Sequence, residues 1–232
     1  MSVTFDFSNQ NVFVVGGTSG IYLGIAQGCA RWGATVVVAS RKQDKVDTAV
    51  AGLKELGAKA GGVTFAVRDY GAVEAGFAAA ASIFGGDVDI LVSGAAGNVP
   101  GRLTTLSPNA VKAMVDIDLM GTFNVMRAAH PHLRKPGARV VNIGAPQAFQ
   151  AMSHQAPVCA AKAGVDMVTK SLALEWGADG IRINSISPGP IDGTEGMVRL
   201  ATTAQNRQAE IASLPAGRKG NPEDIANAAG LL

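Results

Sequence analysis

The chain has 232 residues, of which 47% are hydrophobic and 16% charged, so it can bury the core of one α/β domain and is not a disordered protein. A net charge of +2, without basic clusters, excludes a nucleic-acid-binding role. No apolar run reaches the roughly 20 residues that span a bilayer, and no signal peptide opens the chain, so we expect a cytoplasmic protein with no membrane contact.

Short β-branched runs alternate with helical patterns along the chain. The runs are apolar without alternation, which predicts a parallel sheet covered by helices on both faces. We therefore predict one doubly wound α/β domain over residues 1–232. The predicted strands are Asn11–Val15, Thr35–Ala39, Val63–Val67, Asp89–Val92, Arg139–Ile143 and Arg182–Ile186. The predicted helices cover 21–32, 42–57, 70–84, 107–133 and 153–177.

The C-terminal part departs from this alternation. Residues 192–213 have weak strand character and predict a helical insert that could serve as a substrate lid. The sequence Asn221-Pro222-Glu223-Asp224 predicts the start of a last helix. No strand pattern follows, so we expect the last strand of the sheet to be missing, either through truncation or because a tail lies outside the printed sequence.

A glycine-rich turn joins the first strand to the first helix. Glycine permits positive φ and close approach of the backbone, and a helix N-terminus offers unpaired N–H groups to an anion. At the first strand–helix junction this arrangement predicts a pyrophosphate site, although such a turn can also exist without a ligand. The cofactor-binding residues it predicts are Gly16, Thr18, Ser19, Gly20 and Ile21.

Two cations, Arg41 and Lys42, follow the second strand. An acidic residue there would bind the adenosine 2′-hydroxyl of NAD, whereas adjacent cations suit a 2′-phosphate. We therefore predict NADP(H) in preference to NAD(H). The alternative is an ordinary solvated start of the second helix.

Four motifs are spread over nearly the whole chain. They are the turn Gly16–Gly24, the segment Gly94-Ala95-Ala96-Gly97-Asn98, the helix segment Ala161-Lys162-Ala163-Gly164-Val165-Asp166, and Ser187-Pro188-Gly189-Pro190-Ile191. Together they resemble the short-chain dehydrogenase/reductase family, which implies a Rossmann-type fold. With the further segments Val115–Asn124, Leu174–Gly177 and Asp192–Gly196, the chain is most similar within that family to the peroxisomal type of 2,4-dienoyl-CoA reductase.

The resemblance assigns roles to individual residues. Lys162 would hold the nicotinamide ribose and add positive potential where a proton is delivered. Asp118 would pair with Lys162, directly or through water, and both are predicted to be catalytic. The alternative for Asp118 is an exposed helix acid or a helix cap. The backbone contacts are predicted at Gly94, Ala95 and Ala96 for the adenosine ribose and pyrophosphate, and at Pro188, Gly189, Ile191 and Thr194 for the nicotinamide.

The chain departs from the family where a hydroxyl is usual. The serine expected after the fifth strand is replaced by Gly144 or Ala145, and the tyrosine one turn before Lys162 is replaced by Val158. A displaced tyrosine of one dienoyl-reductase variant would fall at Gln147. Without these hydroxyls a generic alcohol dehydrogenase is disfavoured. Reduction of a conjugated thioester is less affected, because water can protonate the enolate.

Two further departures concern the cofactor. Tyr22 replaces the last glycine of the family turn, and its ring could shield the cofactor, donate a hydrogen bond to phosphate, or block the site. Ala66 stands where the family often has an aspartate that binds adenine. Asp69, three residues later, is predicted to cap the following helix instead.

These observations predict an NADPH-dependent reductase of a conjugated C=C bond in an enoyl or 2,4-dienoyl thioester, as in fatty acid metabolism. Arg199 and Arg207 of the lid could meet an acyl-CoA phosphate, or could simply be solvated. One alternative is a degenerate relative that binds dinucleotide with little chemistry, as a sensor or structural subunit. Another is a carbonyl reductase that uses Tyr22 or water as its acid.

Assembly and metal binding complete the expectations. The resemblance implies a homodimer or homotetramer through the apolar stripes of 107–133 and 153–177, although these stripes could also face the sheet. The three histidines have no partners at metal-ligand spacing, so no metal site is predicted. Cys29 and Cys159 are predicted to be reduced core thiols.

Overall fold

A six-stranded parallel sheet runs through the part of the chain that the structure describes. The structure is a computed structural model, and it describes residues 5–94, 97–194 and 211–232. The strands are β1 (Asn11–Val15), β2 (Thr35–Ser40), β3 (Ala60–Thr64), β4 (Ile90–Ser93), β5 (Arg139–Ile143) and β6 (Arg182–Ile186). Their order across the sheet is β3-β2-β1-β4-β5-β6, and all neighbours are parallel.

Helices connect successive strands, as predicted. They are α1 (Gly20–Arg31), α2 (Gln43–Glu55), α3 (Tyr70–Phe84), α4 (Pro108–Val115), α5 (Gly121–Ala129), α6 (Ala156–Trp176) and α7 (Pro222–Leu231). The helical pattern predicted over 107–133 is present without a break in the helical backbone, but it is not one regular α-helix: a π-helical turn, Asp116–Met120, joins α4 to α5, and a short 3-10 turn follows α5. Within the described ranges, no helix has the length and apolarity needed to cross a membrane.

The sheet has an apolar layer on each face. In β1, Val12 and Val14 pack on one side with Ile25 of α1, while Phe13 packs on the other side with Phe77 of α3. All five side chains are fully buried. Burial of each is worth about 1.5–3 kcal/mol, so the uninterrupted apolar strands are stable only between two helical layers. The predicted doubly wound α/β fold is therefore confirmed.

The third strand begins earlier than the sequence pattern indicates. The β-branched run Val63–Val67 predicted it, but β3 spans Ala60–Thr64 and includes two glycines. A Cβ atom on Gly62 would lie 2.2 Å from Cγ1 of Val46 in α2, so a close-packed helix requires glycine in the strand. Phe65 is buried in the core beyond the end of the strand. Its apolar character reflects core packing and not strand pairing.

The order of the strands creates a crevice between β1 and β4. The chain leaves β1 toward β2 on one side, and the later strands β4, β5 and β6 extend the sheet in the other direction. Such a switch point leaves open space at the carboxyl ends of the strands, which is where α/β proteins bind ligands. The segments that follow β1, β2, β4 and β5 meet at this edge.

The last helix docks beside the first one. It begins as predicted, with a capping box in which Asn221 and Asp224 each bind the other's backbone N–H. A Cβ atom on Gly24 of α1 would lie 2.2 Å from Cβ of Pro222, so the two helices are in direct contact. Most of the predicted lid, with Arg199 and Arg207, lies outside the described residues.

Candidate active site

A cavity of about 520 Å³ opens at the carboxyl edge of the sheet. It extends from the glycine-rich turn, past the ends of β2 and β4, to α6. The predicted site residues that line it are Gly16, Thr18, Ser19, Gly20, Ile21, Arg41, Lys42, Gly94, Asp118, Lys162, Pro188, Gly189, Ile191 and Thr194. The other two predicted residues, Ala95 and Ala96, lie outside the described ranges.

The glycine-rich turn has the geometry that a pyrophosphate needs. The first hydrogen bond of α1 runs from the N–H of Leu23 to the carbonyl of Ser19, so the preceding N–H groups are not used within the helix. Gly16 and Gly20 have φ of +82° and +56°, a region that favours glycine. A Cβ atom on Gly16 would lie 2.2 Å from the carbonyl oxygen of Gly94. The turn therefore fits the diphosphate of a dinucleotide.

The adenosine end of the cavity is strongly cationic. Arg41 and Lys42 line it as predicted, directly after β2. Lys45 and Arg68 line it as well, and the sequence reasoning did not include them. Lys45 could have been found from its position one helical turn after Lys42, on the same face of α2. Four cations at one end of the cavity match a phosphate better than a neutral hydroxyl.

Lys162 lies in the second turn of α6 and is only 6% exposed. Its Nζ donates a hydrogen bond to the carbonyl oxygen of Ile143, at the end of β5, at 3.0 Å. Burial lowers the pKa of Lys162, and the nearby Asp118 carboxylate opposes this shift. The side chain is thereby fixed at the cavity wall as a buried cation that depends on a neighbouring negative charge.

Asp118 is 2% exposed and lies in the π-helical turn between α4 and α5. Its Oδ1 accepts a hydrogen bond from the backbone N–H of Gly97 at 2.7 Å. Burial raises the pKa of Asp118, while the Lys162 ammonium and the Gly97 N–H act in the opposite direction. We predicted that Lys162 pairs with Asp118 either directly or through water. Both side chains lie in the described part of the chain, and they make no direct hydrogen bond or ion pair with each other. They interact through space, and a water link stays a prediction.

The cavity wall beside Lys162 is apolar where a phenol or hydroxyl could have stood. Val158, one turn earlier on α6, is 4% exposed and lines the cavity together with Gly144 and Ala145. The polar groups nearby are amides, which the sequence reasoning missed except for Gln147. Gln155 Oε1 accepts hydrogen bonds from Asn98 Nδ2 at 3.2 Å and from Gln147 Nε2 at 2.9 Å. This part of the cavity can bind a polar substrate group.

The two remaining departures also have defined positions. Ala66 lines the cavity, and Asp69 caps α3 as predicted, with its Oδ1 accepting the N–H of Ala72 at 3.1 Å. Tyr22 lies in the first turn of α1, and its ring reaches across to Gly94. Burial, and then the Asp118 carboxylate, raise the pKa of Tyr22, so its hydroxyl stays protonated at neutral pH.

The parallel sheet, its crevice and the glycine-rich turn define a Rossmann-type nucleotide-binding α/β protein. A family model described as Enoyl-(Acyl carrier protein) reductase matches residues 15–232. The chain belongs to the short-chain dehydrogenase/reductase family of oxidoreductases. The resemblance stated from the motifs is therefore confirmed.

Curated relatives and solved structures extend this assignment. The peroxisomal 2,4-dienoyl-CoA reductase of Arabidopsis thaliana is 38% identical over 231 residues, which cover 95% of this chain and 76% of the relative. That of Rattus norvegicus is 40% identical over 220 residues, covering 93% and 74%. A gluconate 5-dehydrogenase of Burkholderia cenocepacia, crystallised with NADP and tartrate, has a TM-score of 0.91 at 29% identity, covering 98% of this chain and 89% of that one.

Proposed function

We propose that this protein is an NADP(H)-dependent reductase of a conjugated C=C bond in an enoyl or 2,4-dienoyl thioester. The observation that carries the proposal is the buried Lys162 and Asp118 facing the cavity, with Val158 one turn before Lys162 in place of a hydroxyl-bearing side chain, in a chain 35–40% identical to 2,4-dienoyl-CoA reductases. The similar solved structures, which include dehydrogenases and a polyketide ketoreductase, are less similar in sequence at 27–32%.

The residues of the cavity fit a bound NADP(H). The glycine-rich turn would hold the diphosphate, and the four cations beside β2 would hold the 2′-phosphate. Lys162 would bind the nicotinamide ribose, and the turn after β6, at Pro188, Gly189 and Ile191, would contact the nicotinamide, with Thr194 behind it. When bound, the cofactor supplies a hydride. Three of the similar structures contain NADPH or NADP, which supports the choice of cofactor.

The chemistry expected of this chain's own residues is electrostatic. The curated relatives are named as producers of a (3E)-enoyl thioester, and converting a 2,4-dienoyl group to a 3-enoyl group adds hydrogen at C5 and at C2. Negative charge then spreads from C2 to the thioester oxygen until a proton arrives. The Lys162 ammonium stabilises that charge, because its effect is stronger at a buried site than in water. Asp118 would orient the water that delivers the proton to C2.

The side chains beside Lys162 support this reaction over alcohol–ketone interconversion. We infer that the chain lacks the serine and tyrosine usual in its family, because Gly144, Ala145 and Val158 occupy the corresponding part of the cavity wall. A ketone substrate would need an acid for its oxygen, whereas a conjugated thioester needs only a later protonation at carbon. A second candidate, a dinucleotide-binding protein without catalysis, is favoured by the Tyr22 ring at the cavity wall.

Substrate and assembly complete the proposal. For an acyl-CoA substrate, Arg199 and Arg207 are the proposed partners of a phosphate group. A cytoplasmic location stays our prediction, although the curated relatives are named as peroxisomal. A homodimer or homotetramer would bury apolar side chains that α5 and α6 leave exposed. They include Phe123 at 45%, Met167 at 60% and Leu174 at 86% exposure.

NADPH oxidation against a panel of enoyl-CoA, dienoyl-CoA, ketone and quinone substrates tests the function. We expect turnover of conjugated thioesters that Lys162→Ala and Asp118→Ala each reduce. Matched controls are Lys170→Ala, which removes an exposed lysine from α6, and Asp116→Ala, which removes a partly exposed carboxylate two residues from Asp118. NADPH binding by calorimetry without any turnover would favour the non-catalytic candidate. Unchanged turnover in both site variants would refute the mechanism.

A further inference from the structure

The ring of Tyr22, in α1, lies against the backbone of Gly94, which follows β4. It fills the space that a side chain at position 94 would occupy. A Cβ atom placed on Gly94 would lie 1.8 Å from Cε1, 2.1 Å from Cζ and 2.2 Å from the hydroxyl oxygen of Tyr22. Side chains never approach so closely, and the atoms involved belong to a rigid ring. Any side chain at position 94 would therefore displace the ring of Tyr22.

The backbone does not explain the glycine at position 94. Gly16 and Gly20 have positive φ, where a side chain is strained, but Gly94 lies outside that region. Alanine could adopt the Gly94 conformation, and the three atoms nearest to its Cβ would all belong to Tyr22. The absence of a side chain at 94 is what allows the phenol of Tyr22 to reach the cavity wall.

The hydroxyl of Tyr22 has no hydrogen-bond partner in the structure as described, although both Tyr22 and Gly94 line the cavity. Asp118, whose carboxylate accepts the N–H of Gly97, is close enough to Tyr22 to oppose its ionisation, so the phenol remains an O–H donor. The Tyr22 side chain therefore extends from the start of α1, directly after the glycine-rich turn, to the backbone of Gly94. A protonated phenol placed there suits an oxygen atom of a ligand.

We propose that Tyr22 is a cofactor-binding residue whose hydroxyl donates a hydrogen bond to an oxygen in the nicotinamide half of the bound dinucleotide, beyond the adenosine-side phosphate, in a site that only a glycine at position 94 makes possible. The inference rests on the dinucleotide-binding half of the proposed function and not on the substrate that is reduced. The Tyr22 ring would then increase the affinity for the dinucleotide and would not block the cavity.

Direct binding measurements with Tyr22→Phe test the hydrogen bond, because this change removes only the oxygen atom. Loss of one hydrogen bond should weaken NADPH binding by about 3- to 10-fold in calorimetry. The fragment 2′,5′-ADP keeps the adenosine-side phosphate but lacks the second phosphate and the nicotinamide riboside, so its affinity should not change. The matched control is Tyr70→Phe, which alters the other tyrosine of the chain. The hydroxyl of Tyr70 donates a solvent-exposed hydrogen bond to Glu74.

Unchanged NADPH affinity in Tyr22→Phe would overturn the inference, and so would an equal loss for 2′,5′-ADP, which would indicate a distorted turn. Tighter NADPH binding by Tyr22→Ala would also overturn it, because the ring would then be an obstacle. If the wild-type protein binds no NADPH at all, the proposed function and this inference fall together. A protein that binds NADPH through Tyr22 but reduces no thioester would retain the inference and lose the proposed reaction.

The dependence on Gly94 is tested by a double-mutant cycle. Gly94→Ala should weaken NADPH binding by about tenfold or more, because a Cβ atom at 1.8 Å forces the ring to move. In the Tyr22→Ala background the same change should have a smaller effect on affinity and melting temperature, because no ring remains to be displaced. Equal effects of Gly94→Ala in both backgrounds would show that the Tyr22 ring does not require glycine at position 94. If Gly94→Ala does not fold, the affinity of the Tyr22→Phe variant still decides the proposal.

Discussion

Removal of one cation at the adenosine end should change cofactor preference and not cofactor binding as a whole. Arg41 is exposed, follows β2 directly and lines the cavity with three other cations. A hydrogen bond to a charged group is worth about 1.5–3 kcal/mol, and exposure to solvent favours the lower value. Arg41→Ala should therefore weaken NADPH binding about tenfold, since about 1.4 kcal/mol corresponds to a factor of ten. NADH, which has no 2′-phosphate, should bind with nearly unchanged affinity. Calorimetric titration with both cofactors gives the two numbers.

A matched variant separates this effect from a change in net charge. Lys54→Ala removes an exposed cation from the last turn of α2 that does not line the cavity, so both affinities should remain close to the wild-type values. The NADPH effect of Arg41→Ala should also shrink at high ionic strength, because exposed charges are screened by salt. Equal losses for NADPH and NADH, or a wild-type protein that prefers NADH, would refute the reasoning.

Three further outcomes concern the site, the core and the assembly. Burial lowers the pKa of Lys162, and the Asp118 carboxylate opposes this shift. In a pH–rate profile, kcat/KM should therefore fall as the pH rises through the pKa of Lys162. Asp118→Asn removes the opposing charge and should move this fall in kcat/KM to lower pH. Gly62→Ala should lower the free energy of unfolding by about 1–3 kcal/mol in urea titrations, whereas Gly52→Ala, with no atom within 4 Å of the added Cβ, should not destabilise the protein. Leu174→Asp should convert an oligomer into smaller species in light scattering, and an unchanged mass would argue against α6 as an interface.

Much of the fold follows from local patterns in the sequence. The apolar strands between helical segments could only be stable with both faces covered, and the structure confirms this at β1, where Val12 and Phe13 face opposite layers. The boundaries of β3 could not be predicted, because the need for Gly62 arises from Val46, which is distant in sequence. The π-helical turn was not predicted, because the backbone stays helical from α4 into α5 and no proline marks the change between them.

The candidate site could be predicted wherever a motif places a residue at the end of a strand. Every predicted residue within the described ranges lines the cavity, because the carboxyl ends of parallel strands meet at one edge. The contacts of Lys162 and Asp118 were not predictable, as each is bonded to a backbone group from another segment, Ile143 and Gly97. The relation between Tyr22 and Gly94 likewise exists only in three dimensions.

Turnover of a 2,4-dienoyl-CoA with NADPH, measured beside a ketone substrate, decides whether the buried Lys162 serves reduction of a conjugated C=C bond. We expect NADPH oxidation with the conjugated thioester and little with the ketone. We also expect a large loss of turnover in Lys162→Ala and full turnover in Lys170→Ala, which alters an exposed lysine on the same helix. Rapid reduction of the ketone, or an undiminished rate without the buried ammonium, would contradict these expectations.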